Sequence, residues 1–160
     1  MRIAVTGPRD LYDAAADKVK HALRDELRQL ADGDRITGVS CLADGADQFF
    51  ADAVLELGGR LEVVVPAAEY RDGLPEAAHA GYDRLFAVAA HVRRLDHRES
   101  TEQSHMDASV AMLDGADRLV AIWDGQPARG YGGTADVVDY AREHDIAVTV
   151  VWPEGARRGR

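Results

Sequence analysis

The stretch DRLVAIWDGQPARGYGGTADVVDYAR (residues 117–142) decides the fold. It opens with a short apolar run, passes through a glycine-rich segment and continues in an amphipathic pattern that is typical of a helix. A buried strand that leads through a loop into a helix is the repeating unit of a parallel α/β sheet. We therefore expect a strand over RLVAIW (118–123) and a helix that begins close to Thr134.

The same alternation extends over the rest of the chain. Further apolar runs rich in valine and isoleucine lie beside helix candidates, namely RIAVT (2–6), RITGV (35–39), LEVVV (61–65), HVRRL (91–95) and IAVTVVW (146–152). The pattern predicts an α/β fold, a Rossmann-like three-layer sandwich with a mostly parallel sheet of about six strands. It places one domain over residues 1–155 and a basic tail over residues 156–160.

Three helices are predicted with bounds. The first runs from about Asp10 to Ala31, with Asp10 and Asp13 spaced like a capping box and an apolar stripe along one side. The second covers residues 46–57, and another ends near Gly115. The longest connection without periodicity is residues 66–75, and long loops in compact domains are more often functional than idle.

Composition restricts the partners. The chain has 28 acidic and 19 basic side chains and a net charge of -9, so we expect nucleic acid to be an unlikely partner. The single cysteine, Cys41, excludes an internal disulfide, and no apolar run is long enough to cross a membrane. We expect a cytoplasmic protein without a cofactor. The histidines do not have the spacing of metal ligands, so no metal site is expected.

Candidate site residues stand where strands end, because ligands of open α/β sheets bind at that edge. After the first strand, Gly7 permits close approach of a ligand, and Arg9 either grips a phosphate or lies in solvent. After the second strand, Ser40 and Gly45 are small, while Asp44 and Asp47 either accept hydrogen bonds from ribose hydroxyls or cap a helix.

The loop after the third strand carries Glu69, Tyr70 and Arg71, a trio that could grip a nucleoside. The fifth strand ends at Trp123, which either stacks on a base or is buried, and Asp124 follows it. Glycines at the start of a helix expose several N–H donors, so Gly130, Gly132, Gly133 and Thr134 are expected to bind an anion. The alternative is a flexible loop in which Thr134 is an ordinary helix cap. Asp136, in the first turn, would compete with a phosphate unless it points away.

Four segments follow one another along the chain: VTGPRDL (5–11), GVSCLADGADQFFADAVLELGG (38–59), VVVPAAEYRD (63–72) and the opening stretch. In this order and at these spacings they resemble the SLOG superfamily, the Rossmann-like group that contains LOG-type nucleoside-phosphate hydrolases, DprA-like proteins and nucleotide-sensing domains. The resemblance implies a nucleotide or nucleotide-derived ligand across the strand ends, with its phosphate at the glycine-rich helix start. Family members often pair through helices, which implies a homodimer.

The hydrolases of this group carry the pattern Pro-Gly-Gly-x-Gly-Thr-x-x-Glu. Its Gly-Thr is similar to Gly133 and Thr134, and its catalytic glutamate falls on Val137. The resemblance therefore favours binding or sensing of an ADP-ribose-like or nucleoside-phosphate ligand. The alternative is a LOG-like hydrolase that cleaves an N-glycosidic bond with Asp136, Asp47 or Glu69 in place of the glutamate.

Overall fold

A computed structural model describes residues 1–156, and a six-stranded sheet forms its centre. The strands are β1 (Arg2–Thr6), β2 (Thr37–Ser40), β3 (Arg60–Val65), β4 (His91–Arg94), β5 (Arg118–Ile122) and β6 (Ala147–Val151). The helices are α1 (Asp13–Ala31), α2 (Ala46–Glu56), α3 (Tyr70–Gly73), α4 (Glu76–Ala87), α5 (Glu102–Leu113) and α6 (Thr134–Glu143). All neighbouring strands are parallel, which confirms the predicted α/β class. Of the predicted basic tail, residues 157–160 lie outside the described residues.

The strand order places a ligand crevice beside β1. Across the sheet the order is β4-β3-β2-β1-β5-β6, so the chain moves outward from β1 to β4 and then returns to the other side of β1. Ala4 in β1 pairs with Val39 in β2 and with Leu119 in β5. Because the order reverses between β1 and β5, the loops that follow these two strands diverge and leave a crevice at their carboxyl ends.

The core lies on both faces of the sheet. Ile3 and Val5 in β1 are fully buried against α1 and α2, in one apolar cluster that includes Leu23 and Phe50. Ala4, between them, points to the other face and belongs to the cluster that includes Val138 in α6. This alternation follows from the two-residue period of a strand, and it fixes α5 and α6 opposite α1 and α2.

The start of α1 differs from the prediction. The helix begins at Asp13, not at Asp10, and Tyr12 precedes it without a side-chain cap. The expected capping box is therefore wrong. The carboxylate of Asp10 instead accepts a hydrogen bond from Arg129 Nη1 at 2.7 Å, because the loop before the helix turns toward the β5–α6 loop.

Two further elements stand between β3 and β4. The connection 66–75 contains the short helix α3, and Pro75 then leads directly into α4. Within residues 1–156, no helix has both the length and the apolar character that a membrane span requires.

Candidate functional site

An open cavity of about 440 Å³ lies at the carboxyl ends of β1 and β5. We call it the outer cavity. Its walls are the β1–α1 loop (residues 7–12), the β5–α6 loop (residues 124–133) and the start of α5. The strand order predicts a ligand site at this position, and the volume lies within the usual range for small-molecule pockets, roughly 300–1,000 Å³.

The glycine-rich segment forms a tight turn that ends at the start of α6. Gly132 has a φ of 84°, a backbone conformation that side chains disfavour. Its amide donates to Asp136 Oδ2 at 2.9 Å, and the amide of Gly133 donates to Gly130 O at 3.2 Å. Two of the expected anion donors are thus already bonded, and Asp136 stabilises the turn. In the described chain, the amides of residues 134–136, at the first turn of α6, have no acceptor.

The β1–α1 loop closes the other side of the outer cavity. A Cβ on Gly7 would lie 2.4 Å from Cβ of Ala46, so only glycine fits between β1 and α2. Arg9 Nε donates to Asp44 Oδ1 at 2.9 Å, and its side chain is 43% exposed. The Arg129–Asp10 ion pair joins this loop to the β5–α6 loop. Two guanidinium groups therefore stand near the cavity, and each has a carboxylate partner.

A smaller space of about 100 Å³ continues from the outer cavity toward β2. We call it the inner chamber. Both spaces are lined by Thr6, Gly7, Arg9, His105 and Gly132, which shows that they adjoin. The remaining walls of the inner chamber are Val5, Cys41, Ala43, Asp47, Pro66, Tyr70, Ser109 and Met112.

Asp47 is the acidic group of the inner chamber. Burial raises the pKa of its carboxyl to about 7, although the amide of Ala43 and the charge of Arg9 act in the opposite direction. Asp47 Oδ2 accepts a hydrogen bond from Ala43 N at 3.2 Å. A carboxyl with this pKa changes its charge near neutral pH.

Tyr70 and His105 form a second wall of the inner chamber. Their rings meet edge to face at 5.7 Å, and Tyr70 is only 3% exposed. Burial raises the pKa of the Tyr70 hydroxyl well above its usual range, and Cys41 and Asp47 add to this effect, so the hydroxyl keeps its proton. Burial and then Arg9 lower the pKa of His105, which favours the neutral ring.

Several predicted residues lie close to the site without lining it. Ser40 is fully buried, where its Oγ accepts from Leu42 N at 3.0 Å and donates to Asp47 O at 3.1 Å. Gly45, with a φ of 78°, would place a Cβ 2.6 Å from Arg9 O, so its role is to let the two loops pack. Asp124 Oδ1 accepts from Gln126 N at 3.0 Å and shapes the turn after β5.

The expected trio of Glu69, Tyr70 and Arg71 does not converge. Arg71 forms a two-pronged ion pair with Asp83 at 2.7 and 2.6 Å, and Glu69 lies 3.5 Å from Arg98. Only Tyr70 lines the inner chamber. The three side chains separate because α3 begins at Tyr70, and successive residues of a helix point in different directions.

Trp123 is partly buried and lines the outer cavity. Its Nε1 donates to Gln126 O at 2.8 Å, and the guanidinium of Arg142 lies 5.8 Å from its ring. Trp123 is thus only partly buried, and stacking on a base stays a prediction.

Arg129, His105 and Tyr131 are among the site residues that sequence reasoning missed. His105 enters on the first turn of α5, which a capping box of Thr101 and Ser104 fixes. Tyr131, 52% exposed, projects from the glycine-rich loop. An aromatic residue between two glycines was a signal that could have identified Tyr131, whereas only the tertiary path of α5 brings His105 to the β1 end.

A larger open groove of about 730 Å³ runs along α5 and α6. It extends toward Ala116 and Ile146, at the amino ends of β5 and β6. We assign the candidate site to the outer cavity and inner chamber, because the switch point and the helix start lie there.

Comparisons with protein-family models and with curated protein sequences find no match. Among solved structures, DNA processing protein A (DprA) from Helicobacter pylori aligns with a TM-score of 0.69 and 14% identity, over 99% of this chain and 68% of that chain. DprA from Streptococcus pneumoniae aligns with a TM-score of 0.67 and 18% identity, over 93% of this chain. The chain shares the Rossmann-like α/β fold of these two proteins. It spans about half, 49%, of the length of the S. pneumoniae protein.

The molybdenum cofactor binding protein from Rippkaea orientalis also shares this Rossmann-like fold. It aligns with a TM-score of 0.59 and 14% identity, over 96% of this chain and 77% of that chain. At these identities the likeness concerns the fold alone. It confirms the Rossmann-like architecture that the sequence predicts.

The comparison corrects the expectation that nucleic acid is an unlikely partner. The H. pylori protein, which shares the fold of this chain, has a single-stranded DNA binding mode. The prediction is wrong because net charge sums the whole surface, whereas nucleic acid is bound by local basic and aromatic groups.

Proposed function

We propose that the chain binds a small phosphorylated ligand, a nucleotide or nucleotide-derived molecule, in the outer cavity, with the phosphate at the start of α6. The observation that carries the proposal is the set of free amides at residues 134–136, at the end of a loop that lines the cavity. Free amides and the positive end of a helix favour an anion. Thr134 adds a hydroxyl at the same position.

The surrounding charges support this assignment. Arg129 and Arg9 both line the outer cavity, and each forms an ion pair with a partly exposed carboxylate, Asp10 or Asp44. Ion pairs near the surface contribute little stability, so a phosphate can replace either carboxylate at small cost. A ligand phosphate would thus gain charged partners without a rearrangement of the sheet.

An N-glycosidic hydrolase is a weaker candidate. Val137, at the position of the hydrolase glutamate, is 1% exposed and packs in the core. Asp136 is engaged with the amide of Gly132, and Glu69 lies near Arg98. Of the three expected acidic replacements, only Asp47 lines the candidate site. We therefore propose binding or sensing rather than turnover.

The test places a charge at the start of α6 without disturbing its helix. Ala135 lines the outer cavity and is partly exposed, so it accepts a small polar side chain. Ala135→Asp puts a carboxylate where we place the phosphate, while the helix dipole keeps α6 stable. Ala135→Asn is the control of equal size. Isothermal titration calorimetry with AMP and ADP-ribose measures both variants.

We expect the Asp variant to bind each nucleotide at least 30-fold more weakly than the Asn variant, on the order of 2 kcal/mol. Equal affinities would overturn the phosphate site. Mass spectrometry of the incubated nucleotides distinguishes binding from turnover, because intact ligand supports binding and free base would support the hydrolase.

A second candidate function is the binding of single-stranded nucleic acid. Tyr12 and Tyr131 are 64% and 52% exposed and lie on the two loops that the Arg129–Asp10 pair joins. Exposed aromatic rings beside a phosphate site are suited to stack on bases. The fold shared with the DNA-binding H. pylori protein adds to this observation.

Fluorescence anisotropy with a labelled oligothymidine tests this candidate at low salt. Tyr131→Ala should weaken binding about 10-fold, because stacking contributes roughly 1–3 kcal/mol per base, whereas Tyr131→Phe keeps the ring and should restore it. Affinity should also fall as salt rises. Absence of binding at low salt would remove the candidate.

A further inference from the structure

The inner chamber contains two polar groups with unused hydrogen-bonding capacity. Asp47 Oδ2 is bonded to Ala43 N, but Asp47 Oδ1 has no donor among residues 1–156. The Tyr70 hydroxyl likewise has no hydrogen-bond partner in that part of the chain. Partly enclosed polar groups without partners cost free energy, so a ligand that satisfies them gains affinity.

Three other polar groups of the inner chamber are already engaged. Cys41 Sγ contacts Met112 Sδ at 3.7 Å, and Ser109 Oγ donates to the backbone oxygen of His105 at 3.1 Å. The Nε2 of His105 bonds Ser100 Oγ at 2.8 Å. A ligand group deep in the chamber would therefore meet the carboxylate of Asp47 and the hydroxyl of Tyr70, while Thr6 and Arg9 line the part that the chamber shares with the outer cavity.

The volume restricts what can enter. At about 100 Å³, the inner chamber holds about three water molecules, at ~30 Å³ each, which is room for small polar groups and not for a purine. Val5, Pro66 and Met112 supply an apolar lining, and Asp47 supplies carboxylate oxygens that accept hydrogen bonds. Hydroxyl groups fit this combination, because they donate to a carboxylate and accept from a phenol.

We propose that the inner chamber binds the vicinal hydroxyl groups of a ribose whose phosphate lies at α6, so that the site selects ribose phosphates over deoxyribose phosphates. The inference rests on the proposed function, because the phosphate fixes the sugar at the mouth of the inner chamber. The five lining residues that the chamber shares with the outer cavity bring the two subsites within one molecule's reach. Asp47 accepts from one hydroxyl and Tyr70 bonds the other.

The experiment compares ribose 5-phosphate, 2-deoxyribose 5-phosphate and inorganic phosphate by calorimetry at pH 7.5. We expect the wild type to bind ribose 5-phosphate about 10-fold or more tightly than its deoxy analogue, because a hydrogen bond to a charged group is lost with the hydroxyl. Asp47→Asn and Asp47→Ala should reduce the ratio below about 3, and Tyr70→Phe should reduce it in part. Asp44→Asn, which alters the partner of Arg9, is the control and should keep the ratio.

The ratio of the affinities for ribose 5-phosphate and 2-deoxyribose 5-phosphate should also rise between pH 6 and pH 8, because the ionised carboxylate of Asp47 is a stronger acceptor than the neutral carboxyl. This rise should be absent in Asp47→Asn. Five charged or titratable groups face Asp47. Arg9 and Asp44 lie on the two adjacent loops, and the others, which line the inner chamber, are Cys41, Tyr70 and His105. Since both sugars carry the same phosphate, titration of the phosphate cancels in the ratio.

The outcomes separate the inference from the proposed function. If both sugar phosphates bind with equal affinity, and Ala135→Asp still weakens them, the ribose subsite is wrong and the phosphate site stands. If the preference persists in folded Asp47→Asn and Asp47→Ala, the role of Asp47 is wrong. If neither sugar phosphate nor inorganic phosphate binds, the phosphate site fails and the ribose subsite fails with it.

Discussion

Asp47 links the candidate site to the stability of the protein. Its folded pKa of about 7 lies above the ordinary value of 3.8, so folding favours the neutral carboxyl. Between pH 4 and pH 7 the folded state therefore binds more protons than the unfolded state, and the stability falls as the pH rises through this range. The partly buried position of Asp47, which can accept hydrogen bonds from a ligand, thus lowers the free energy of unfolding when the carboxyl is ionised.

Asp47→Asn should therefore stabilise the protein at pH 8. A three-unit shift corresponds to about 4 kcal/mol, and because the side chain is partly exposed we expect about 2 kcal/mol. The gain should shrink as the pH falls and nearly vanish close to pH 4.5. Urea unfolding of both proteins across this range measures it. If the free energy of unfolding of the two proteins changes with pH in the same way, the raised pKa of Asp47 is contradicted.

Gly45 shows how one residue positions two loops. Its φ of 78° and the 2.6 Å separation between an added Cβ and Arg9 O leave room only for hydrogen. Gly45→Ala should lower the free energy of unfolding by about 2–3 kcal/mol, through strain and displacement of the Arg9 backbone. Gly58→Ala is a matched control, because it has the same φ of 78° with nothing within 4 Å of the added methyl. Equal losses in thermal or urea unfolding would show that the contact with the Arg9 backbone has no effect.

At the scale of elements, helix starts determine the site. α6 begins after a glycine turn without a side-chain cap, and its first amides remain free. α5 begins with the reciprocal bonds between Thr101 and Ser104, at 3.0 and 2.9 Å, so the Ser104 amide at its amino end is already bonded. One helix start is thus open to an anion, while the other serves to hold His105 at the inner chamber.

Thr101→Ala should lower the free energy of unfolding by about 1 kcal/mol, because the Ser104 amide loses its acceptor. Thr101→Asn retains an acceptor and should restore most of the loss. Differential scanning calorimetry of the two variants measures the effect. A loss of equal size in both variants would show that the cap does not stabilise α5.

The bounds of the strands and helices show how much of the fold the sequence predicts. Runs rich in valine and isoleucine predict all six strands to within two residues. Burial explains this for β1, β2, β3 and β5, whose residues are mostly buried, whereas the edge strands β4 and β6 are mostly exposed or partly exposed. The start of α1 is predicted three residues too early because Asp10 resembles a cap, whereas the structure uses it in an ion pair with Arg129, 119 positions away. Local patterns carry no information about such a distant partner.

At the scale of the whole molecule, the fold was predictable and the full site was not. Gly7, Arg9 and the glycine-rich loop follow strands, and their position at the switch point follows from the strand order. The inner chamber depends on side chains from β1, the segment after β2, α2, α3 and α5, which are brought together only by tertiary packing. Net charge was the least informative property, because it does not describe the arrangement of charges around a site.

Because distant segments of the chain meet at the site, a bound ligand should stabilise the entire domain. The β1–α1 and β5–α6 loops, more than 110 residues apart, are joined by the 2.7 Å pair of Arg129 and Asp10. AMP at about 100 times its Kd should add about 2.7 kcal/mol to the free energy of unfolding, and so raise the Tm by roughly 5–10 °C for a chain of this size. Thermal unfolding with increasing AMP measures this shift, which Ala135→Asn should retain and Ala135→Asp should lose. If the Tm of the Asp variant rises as much as that of the wild type, AMP binds outside the α6 subsite. If AMP saturates the wild type in calorimetry and its Tm still does not rise, the ligand also binds the unfolded chain.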